Sequence, residues 1–188
     1  MSPPRPPEAC PSPASPSPGA RVGPAPMGPA HRLYDLWSFQ AVRAELEQEG
    51  ARIALTNGCF DLLHPGHLHL LLVARSQADR LVVGLNTDLS VQQLKGASRP
   101  VQPAAHRALL LAALRPVDYV VLFGDRHADR LLEVVRPHVY VKGGDYTPQT
   151  LPEAPTVRRL GIELSLVDLR SGLSTTRLIH RVAGGPAG

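Results

Sequence analysis

The 188-residue sequence predicts an α/β fold, a doubly wound parallel sheet of five strands. Two observations predict this fold class. Compact apolar runs alternate along the chain with segments of helical periodicity, as in parallel sheets that are covered by helices on both faces. In addition, the polar residues Asn57, Asn86 and Lys142 end or follow three of these runs. Those positions are the carboxyl ends of strands, where such sheets bind ligands.

The first elements follow from local patterns. Five apolar residues recur at helical spacing from Leu33 to Leu46 and predict a first helix, which ends near Gly50. The apolar run ARIALTN then predicts the first strand at residues 51–57. The next predicted elements are a helix at 66–77, a strand at 80–86 and a polar loop at 87–103.

The rest of the chain continues the alternation. The apolar run DYVVLF predicts a third strand, and two shorter runs predict the fourth and fifth. These three strands are expected at 118–123, 138–141 and 162–167. The predicted helices are 104–114, 125–135, 154–160 and a closing helix at 175–182. Right-handed crossovers between parallel strands distribute such helices over the two faces of the sheet.

Residues 1–30 differ in composition from the rest and are predicted to be a disordered, Pro/Ser-rich tail. They hold eleven of the 20 prolines and lack apolar periodicity, so they cannot recover the entropy that ordering costs. The folded domain is therefore predicted at 31–188. The tail lacks the apolar core of a signal peptide, and the chain has no apolar run long enough to span a membrane. We expect a cytoplasmic protein with no membrane partner.

The formal net charge of +4 raises the question of nucleic-acid binding. The basic residues are spread along the chain without a basic block, so we expect no nucleic-acid partner. A mildly positive site for small anionic substrates explains the balance better. The two cysteines, Cys10 and Cys59, form neither a disulfide framework nor a cluster with zinc spacing, and no metal-ligating residues are predicted.

The segment TNGCFDLLHPGH at residues 56–67, called the signature segment below, carries the strongest chemical signal. A strand leads into a loop and then into a helix, for which Pro65 suits the first position. Gly66 lets a phosphate approach the backbone, and the N–H groups and dipole of a helix start favour an anion. His64 and His67 lie on one side of this turn, where both can donate to phosphoryl oxygens. The pattern predicts phosphoryl transfer by positioning and charge neutralisation, without a protein nucleophile.

The signature segment resembles that of the HxGH cytidylyltransferase-like superfamily, which implies a Rossmann-like nucleotidyltransferase fold. Three further segments are similar to the adenylyltransferase of ADP-heptose synthesis: VGLNTDLSVQQLKGASRP at 83–100, VKGGDY at 141–146 and GLSTT at 172–176. The resemblance implies an enzyme that transfers AMP from ATP to a sugar phosphate, heptose 1-phosphate, with Mg²⁺, and releases pyrophosphate. Because no sugar-kinase domain is present in the sequence, the stand-alone form is expected.

The resemblance also implies roles for residues where the motifs match. His64 and His67 would contact the triphosphate and stabilise the transition state, and Lys95 would meet a phosphate of the substrate or of ATP. From the motifs and the residue arguments together, the residues expected to bind nucleotide or phosphate are Asn57, Gly58, Phe60, Gly66, Arg107, Lys142, Gly143, Gly172, Ser174 and Thr175.

The residues themselves support part of this set. Lys95 and Lys142 are the only lysines in a chain that otherwise uses arginine, and both lie in motif loops. Lysine offers a compact, mobile charge where arginine would bring a planar fork. Asp61 is expected either to orient a histidine or to close its own turn. Cys59 is expected to be a small buried residue rather than a nucleophile.

Two alternative functions and two further questions stay open at this point. A CTP-dependent glycerol-3-phosphate (alditol phosphate) cytidylyltransferase is compatible with the GLSTT segment. A catalytically silent nucleotide-binding regulator would keep the fold but release no pyrophosphate. The segments at 124–128 and 147–156 depart from the heptose enzymes, which leaves the identity of the sugar phosphate open. The oligomeric state is open as well, with a homodimer as one alternative.

Overall fold

A computed structural model describes residues 29–144 and 146–168, together with Thr175, Ile179 and Gly184. The strands of the described ranges form one six-stranded parallel sheet in the order β1-β4-β3-β2-β5-β6. They are β1 Leu33–Asp35, β2 Ile53–Gly58, β3 Arg80–Asn86, β4 Tyr119–Phe123, β5 Val139–Gly143 and β6 Glu163–Val167.

Helices cover both faces of this sheet, so the doubly wound α/β fold is confirmed. A short 3-10 helix at Pro29–Arg32 precedes α1 Phe39–Gln48, α2 Pro65–Ser76, α3 Asp88–Lys95, α4 Ala104–Ala113, α5 Asp129–Val135 and α6 Ala154–Arg159. Helices α1, α5 and α6 pack on one face of the sheet, and α2 and α4 pack on the other. The predicted closing helix at 175–182 and the predicted tail lie almost entirely outside the described residues.

Each face has its own apolar core, because successive residues of the central strands point to opposite sides. Ile53 and Leu55 of β2 belong to the core under α1, α5 and α6, whereas Ala54 belongs to the core under α2 and α4. All three are fully buried. The strands read as continuous apolar runs for this reason, as the sequence predicted.

The sheet reverses its winding direction between β2 and β5. The chain proceeds from β2 through β3 to β4, and then returns to the other side of β2 to form β5 and β6. Backbone pairing of β2 with β5 ends at Leu55 and Tyr140, whereas pairing of β2 with β3 continues to Gly58 and Leu85. The carboxyl ends of β2 and β5 therefore separate and leave a crevice, which is the ligand position expected for a doubly wound sheet.

The prediction of five strands is wrong by one, because the predicted first helix starts too early. Leu33–Asp35 is instead the edge strand β1, which pairs with β4 in the register Leu33↔Val120. Asp35 and Ser38 then exchange hydrogen bonds, with Ser38 N donating to Asp35 Oδ1 at 2.7 Å. These bonds turn the chain into α1. Pairing with the sheet outweighs the helical spacing of the apolar residues.

The predicted polar loop at 87–103 contains a helix, α3. The Thr87 side chain caps it by accepting the backbone N–H of Ser90 at 3.4 Å. The helix ends at Gly96, whose φ of +95° suits glycine. Only Ser90 and Val91 of this helix are buried, so its sequence lacks the apolar stripe by which a helix is normally predicted.

None of the helices in the described part of the chain combines the length and the apolar character that crossing a bilayer requires.

Gly84 provides a test of this packing. A Cβ at Gly84 in β3 would overlap Leu131 Cδ2 and lie 3.0 Å from Asn57 Cβ. We expect Gly84→Ala to lower the free energy of unfolding by about 1–3 kcal/mol through overpacking, as measured by urea denaturation. Gly124→Ala is the matched control, because its Cβ would come no closer than 3.7 Å to Thr87 Oγ1. Equal stability of the two variants would contradict the described packing.

Candidate active site

The side chain of Asn57 joins β2 to β5 where their backbones separate. Its Oδ1 accepts hydrogen bonds from the Tyr140 hydroxyl at 2.6 Å and from Lys142 Nζ at 2.8 Å. Burial, reinforced by nearby acidic groups, raises the pKa of Tyr140 well above its usual value, so the hydroxyl remains a donor. Burial lowers the pKa of Lys142. Tyr140 and Lys142 of β5 thus both donate to one amide oxygen of β2, and this bridge joins the two sides of the crevice.

A cavity of about 460 Å³ opens next to Asn57, at the carboxyl ends of β2, β3 and β5. Five of the predicted site residues line it: Asn57, Gly58, Lys95, Lys142 and Gly143. The structure therefore brings together residues that are far apart in the sequence. The cavity also has lining residues that were not among the predicted site residues, namely Cys59, Asn86, Leu94, Arg126, His127, Tyr146, Pro152 and Glu153.

His64 and His67 form a stacked pair at the start of α2, outside the lining of this cavity. Their ring centroids are 3.7 Å apart and the ring planes differ by 23°. His64 is the N-cap residue of α2 and Pro65 occupies its first turn, so the predicted helix start is confirmed. The Nδ1 atom of each ring is buried and has no hydrogen-bond partner among the described residues. Both Nδ1 atoms therefore keep their hydrogen-bonding capacity unused within the described part of the chain.

Both histidines are held in the neutral form at neutral pH. Burial lowers the pKa of His64. Burial, followed by the charges of His64 and Lys95, lowers the pKa of His67 to about 4, although the nearby backbone of Leu62 acts in the opposite direction. A neutral imidazole still carries one N–H donor. The pair can therefore donate hydrogen bonds to an anion without carrying a charge in the free protein.

Lys95 connects the histidine pair with the cavity. It ends α3, lines the cavity, and is close enough to lower the pKa of His67 by its charge. The same charge opposes the burial that raises the pKa of the Cys59 thiol. A raised pKa disfavours the thiolate, which agrees with the expectation that Cys59 is not a nucleophile.

Phe60 and Gly66 do not line the cavity, and both are buried near the histidine pair. Phe60 has a φ of +42°, is 3 % exposed, and packs its ring 5.1 Å from that of His67. Gly66 is buried in the first turn of α2. Thr175 is also buried, and its hydroxyl donates to the carbonyl of Leu62 at 3.4 Å. The predicted residues Gly172 and Ser174 lie outside the described residues.

Asp61 takes neither of its two expected roles. It is 2 % exposed, and its carboxylate accepts the Arg99 guanidinium at 2.7 Å and the N–H groups of Val101 and Gln102 at 2.8 and 3.0 Å. Burial alone would raise its pKa, but these donors outweigh burial and hold the pKa of Asp61 below its usual value. Asp61 therefore fastens the signature segment to the segment that follows α3.

Arg107 also differs from its expected role in phosphate binding. Its side chain is fully buried, and its guanidinium donates to the carbonyls of Cys59 at 2.6 Å and Gln102 at 2.9 Å. It also pairs with Asp88 at 2.6 Å. These contacts use the N–H donors of the guanidinium to hold the signature segment against α3 and α4. An arginine at a helix start looks the same in sequence whether it faces a ligand or the protein interior.

The arrangement brings two groups of side chains together at the carboxyl edge of the sheet. His64 and His67 stand at the start of α2, which packs on one face of the sheet. The cavity lies at the ends of β2, β3 and β5, and its lining includes residues that precede α5 and α6, which pack on the other face. Asn57, Gly58 and Lys95 stand between the two. In the described part of the chain, no group of three His, Cys, Asp or Glu side chains is placed to hold a metal ion.

Known proteins show similarity over most of this region. The bifunctional protein HldE of Bradyrhizobium sp. (strain ORS 278) is 53% identical over 133 residues, which are 71% of this chain and 27% of that protein. The bifunctional protein HldE of Acidiphilium cryptum is 55% identical over 135 residues, or 72% of this chain and 28% of that protein. The chain thus spans less than a third of the length of these relatives.

Solved structures agree with the fold. The lipopolysaccharide core biosynthesis protein from Thermoplasma volcanium is 26% identical with a TM-score of 0.54, covering 64% of this chain and 97% of that one. Pantoate-beta-alanine ligase from Francisella tularensis is only 15% identical but has a TM-score of 0.56, covering 79% and 76% of the two chains. This second likeness concerns the fold alone.

A profile of the cytidylyltransferase-like family matches residues 55–181. The match includes the signature segment, the stacked histidines, both lysines and all the residues that line the cavity. The chain belongs to the cytidylyltransferase-like family and is a nucleotidyltransferase.

Proposed function

We propose that this chain transfers AMP from ATP to heptose 1-phosphate, forming ADP-heptose and pyrophosphate. The observation that carries the proposal is the stacked pair of His64 and His67 beside a cavity that Lys95 and Lys142 line. About 50% identity to proteins named HldE supports the choice of ADP-heptose chemistry. The segments LKG, RP and VKGGDY resemble the heptose enzymes and favour ATP over CTP, whereas GLSTT is compatible with either nucleotide.

The reaction needs no covalent enzyme intermediate. An oxygen of the sugar phosphate attacks the α-phosphorus of ATP, and the bond from that phosphorus to the bridging oxygen of the β-phosphate breaks. The electron pair leaves with pyrophosphate. Catalysis of such an in-line displacement rests on positioning and charge stabilisation. His64 and His67 donate to the oxygens of the α-phosphate, where negative charge develops.

The histidines meet the triphosphate at the start of α2, and the acceptor enters from the cavity at the carboxyl ends of the strands. Lys95 stands between the two sites and offsets the repulsion between the attacking phosphate and the triphosphate. The start of α2 adds the favourable end of its dipole to the same region.

Mg²⁺ enters this scheme as part of the nucleotide substrate. The described residues offer no cluster of three metal-ligating side chains, so they do not fit a protein-held magnesium site. We propose that the phosphate oxygens themselves hold the ion, as is common for Mg²⁺. No step is assigned to a metal ion that the protein binds.

A screen of pyrophosphate release tests the function directly. ATP, CTP and GTP are each combined with heptose 1-phosphate, hexose 1-phosphates and glycerol 3-phosphate. We expect ATP with heptose 1-phosphate to give the highest kcat/KM, with a preference of about tenfold or more over CTP, because polar groups left unpaired by the wrong base cost about 1–3 kcal/mol each. CTP with glycerol 3-phosphate as the best pair would replace the proposal by the cytidylyltransferase. No release with any pair would favour the silent regulator.

Removing either histidine should affect turnover more than nucleotide affinity. We expect His64→Ala or His67→Ala to lower kcat about 10²- to 10³-fold, because one donor to the transition state is lost. His69→Ala is the matched control, because His69 lies on the same helix α2 but outside the stacked pair. A variant of the pair that keeps the kcat of the unmodified enzyme would exclude that histidine from the mechanism.

The titration of His67 should depend on the nucleotide. Its pKa of about 4 in the free protein should rise when ATP binds, because the phosphate charge favours the imidazolium form. NMR of the imidazole carbon-bound protons with and without ATP measures both values. Since the unfolded chain takes up the proton first, stability should fall as the pH drops from about 6.5 towards 4, and less so in His67→Asn. An unshifted His67 would contradict the burial and the stacking.

A further inference from the structure

The reaction above gives no role to the buried carboxyl group of Glu153 in the cavity. Glu153 is the N-cap residue of α6, is 4 % exposed, and lines the cavity. Its Oε1 accepts the backbone N–H of Ala128 at 3.1 Å. Its Oε2 is buried and has no hydrogen-bond partner among the described residues. A buried oxygen of this kind is unfavourable unless a donor reaches it.

Two donors near Glu153, Tyr140 and Lys142, each make a hydrogen bond to another residue. Tyr140 and Lys142 are close enough for the charge of Glu153 to affect the pKa of both. Each of them donates to Asn57 Oδ1. The second oxygen of Glu153 is therefore left for a group that enters the cavity.

The charged and titratable residues that line the cavity differ in their exposure. Lys95, Arg126 and His127 are exposed and form the opening, whereas Lys142 and Glu153 are buried. Because Lys95 also influences His67, the opening lies towards the histidine pair. A sugar phosphate that enters the cavity would keep its phosphate near Lys95 and direct its hydroxyl groups towards Glu153.

We propose that Glu153 determines specificity for the acceptor, its free carboxylate oxygen accepting hydrogen bonds from hydroxyl groups of the sugar. The inference rests on the proposed function, because it takes a sugar phosphate as the occupant of the cavity. A carboxylate accepts strong hydrogen bonds from hydroxyls and repels a second anionic group. The inner end of the cavity should therefore select a polyhydroxylated sugar and reject one that carries a carboxylate there.

The ribose of ATP is the competing source of hydroxyl groups. The histidine pair, which the proposed function assigns to the triphosphate, stands at the start of α2, and α2 packs on one face of the sheet. Glu153 stands at the start of α6, which packs on the other face, and contacts Ala128 before α5. This separation favours the acceptor over the ribose as the ligand of Glu153.

The test replaces Glu153 by glutamine. Glu153→Gln can still accept the Ala128 N–H but has no negative charge. We expect KM for heptose 1-phosphate to rise about 10- to 100-fold, as is typical when a hydrogen bond to a charged group is lost. KM for ATP should change by less than about twofold. The control is Glu133→Gln, since Glu133 lies on α5 and pairs with Arg159 at the surface.

A second measurement uses the unmodified enzyme. Hexose 1-phosphates and their monodeoxy analogues are compared as acceptors or competitive inhibitors, first with the unmodified enzyme and then with Glu153→Gln. Removing the hydroxyl group that contacts Glu153 should weaken binding to the unmodified enzyme but have little effect on binding to Glu153→Gln. The difference between the two effects is the coupling energy of a double-mutant cycle. If Glu153→Gln does not fold, the analogue series on the unmodified enzyme still decides, because equal affinity for all analogues overturns the proposal.

Other outcomes also separate the alternatives. An unchanged KM for the sugar phosphate overturns the proposal, as does a rise in KM for ATP alone, which would assign the carboxylate to the ribose. A lower kcat with both KM values unchanged would make Glu153 a positioning residue for Lys142 and overturn it too. Failure of the proposed function looks different, since the unmodified enzyme would then release no pyrophosphate. In that case calorimetric titration of the unmodified protein and of Glu153→Gln with heptose 1-phosphate tests the role of Glu153. Equal affinity of the two proteins, or no binding to either, rejects that role.

Discussion

The Oδ1 atom of Asn57 links β2 to β5 at the point where the winding direction of the sheet reverses. Beyond Leu55 and Tyr140 the backbones of β2 and β5 no longer pair, and Asn57 Oδ1 takes over by accepting from Tyr140 and Lys142. The Asn57 side chain has room in this position because Gly84 on β3 has no Cβ to meet it. The crevice that receives ligands therefore depends on a side-chain bridge rather than on backbone pairing. Asn57 is half-buried, and both donors to its oxygen are buried, so the bridge depends on all three side chains being in place.

The signature segment depends on a second set of buried charges. Asp61 binds Arg99 and the backbone beyond α3, and Arg107 binds the carbonyl of Cys59. These contacts fix the loop on both sides of Phe60, which in turn supports the ring of His67. Asp61 and Arg107 thus hold the loop, and both are buried with partners inside the protein. Lys95, by contrast, is exposed and lines the cavity.

The sequence predicted the parts of this structure that have strong local signals. β3 matches its predicted range of 80–86, and the helix after the signature segment begins at Pro65 as expected. β1 was missed because a three-residue edge strand carries too few residues to outweigh a helical pattern of apolar side chains. α3 was missed because a surface helix with little buried area lacks an apolar stripe.

The candidate site divides in the same way. Asn57, Gly58, Lys95, Lys142 and Gly143 could be predicted to share a site, because residues at the carboxyl ends of parallel strands meet at one edge of the sheet. The burial of Arg107 and the contacts of Asp61 could not be predicted, since they depend on how the segment after α3 folds back. Glu153 was missed for a related reason: it lies in a proline-rich loop, and only the tertiary fold brings it to the cavity.

Neutrality of the histidine pair explains how two imidazoles can be stacked beside a lysine. Two charged rings at 3.7 Å would repel each other and Lys95, and burial would add to the cost of charging them. As neutral groups they bring one donor each at little electrostatic cost, and they are already oriented before the nucleotide arrives. In the proposed reaction, the negative charge that develops on the α-phosphate would meet fixed dipoles, which need no reorganisation.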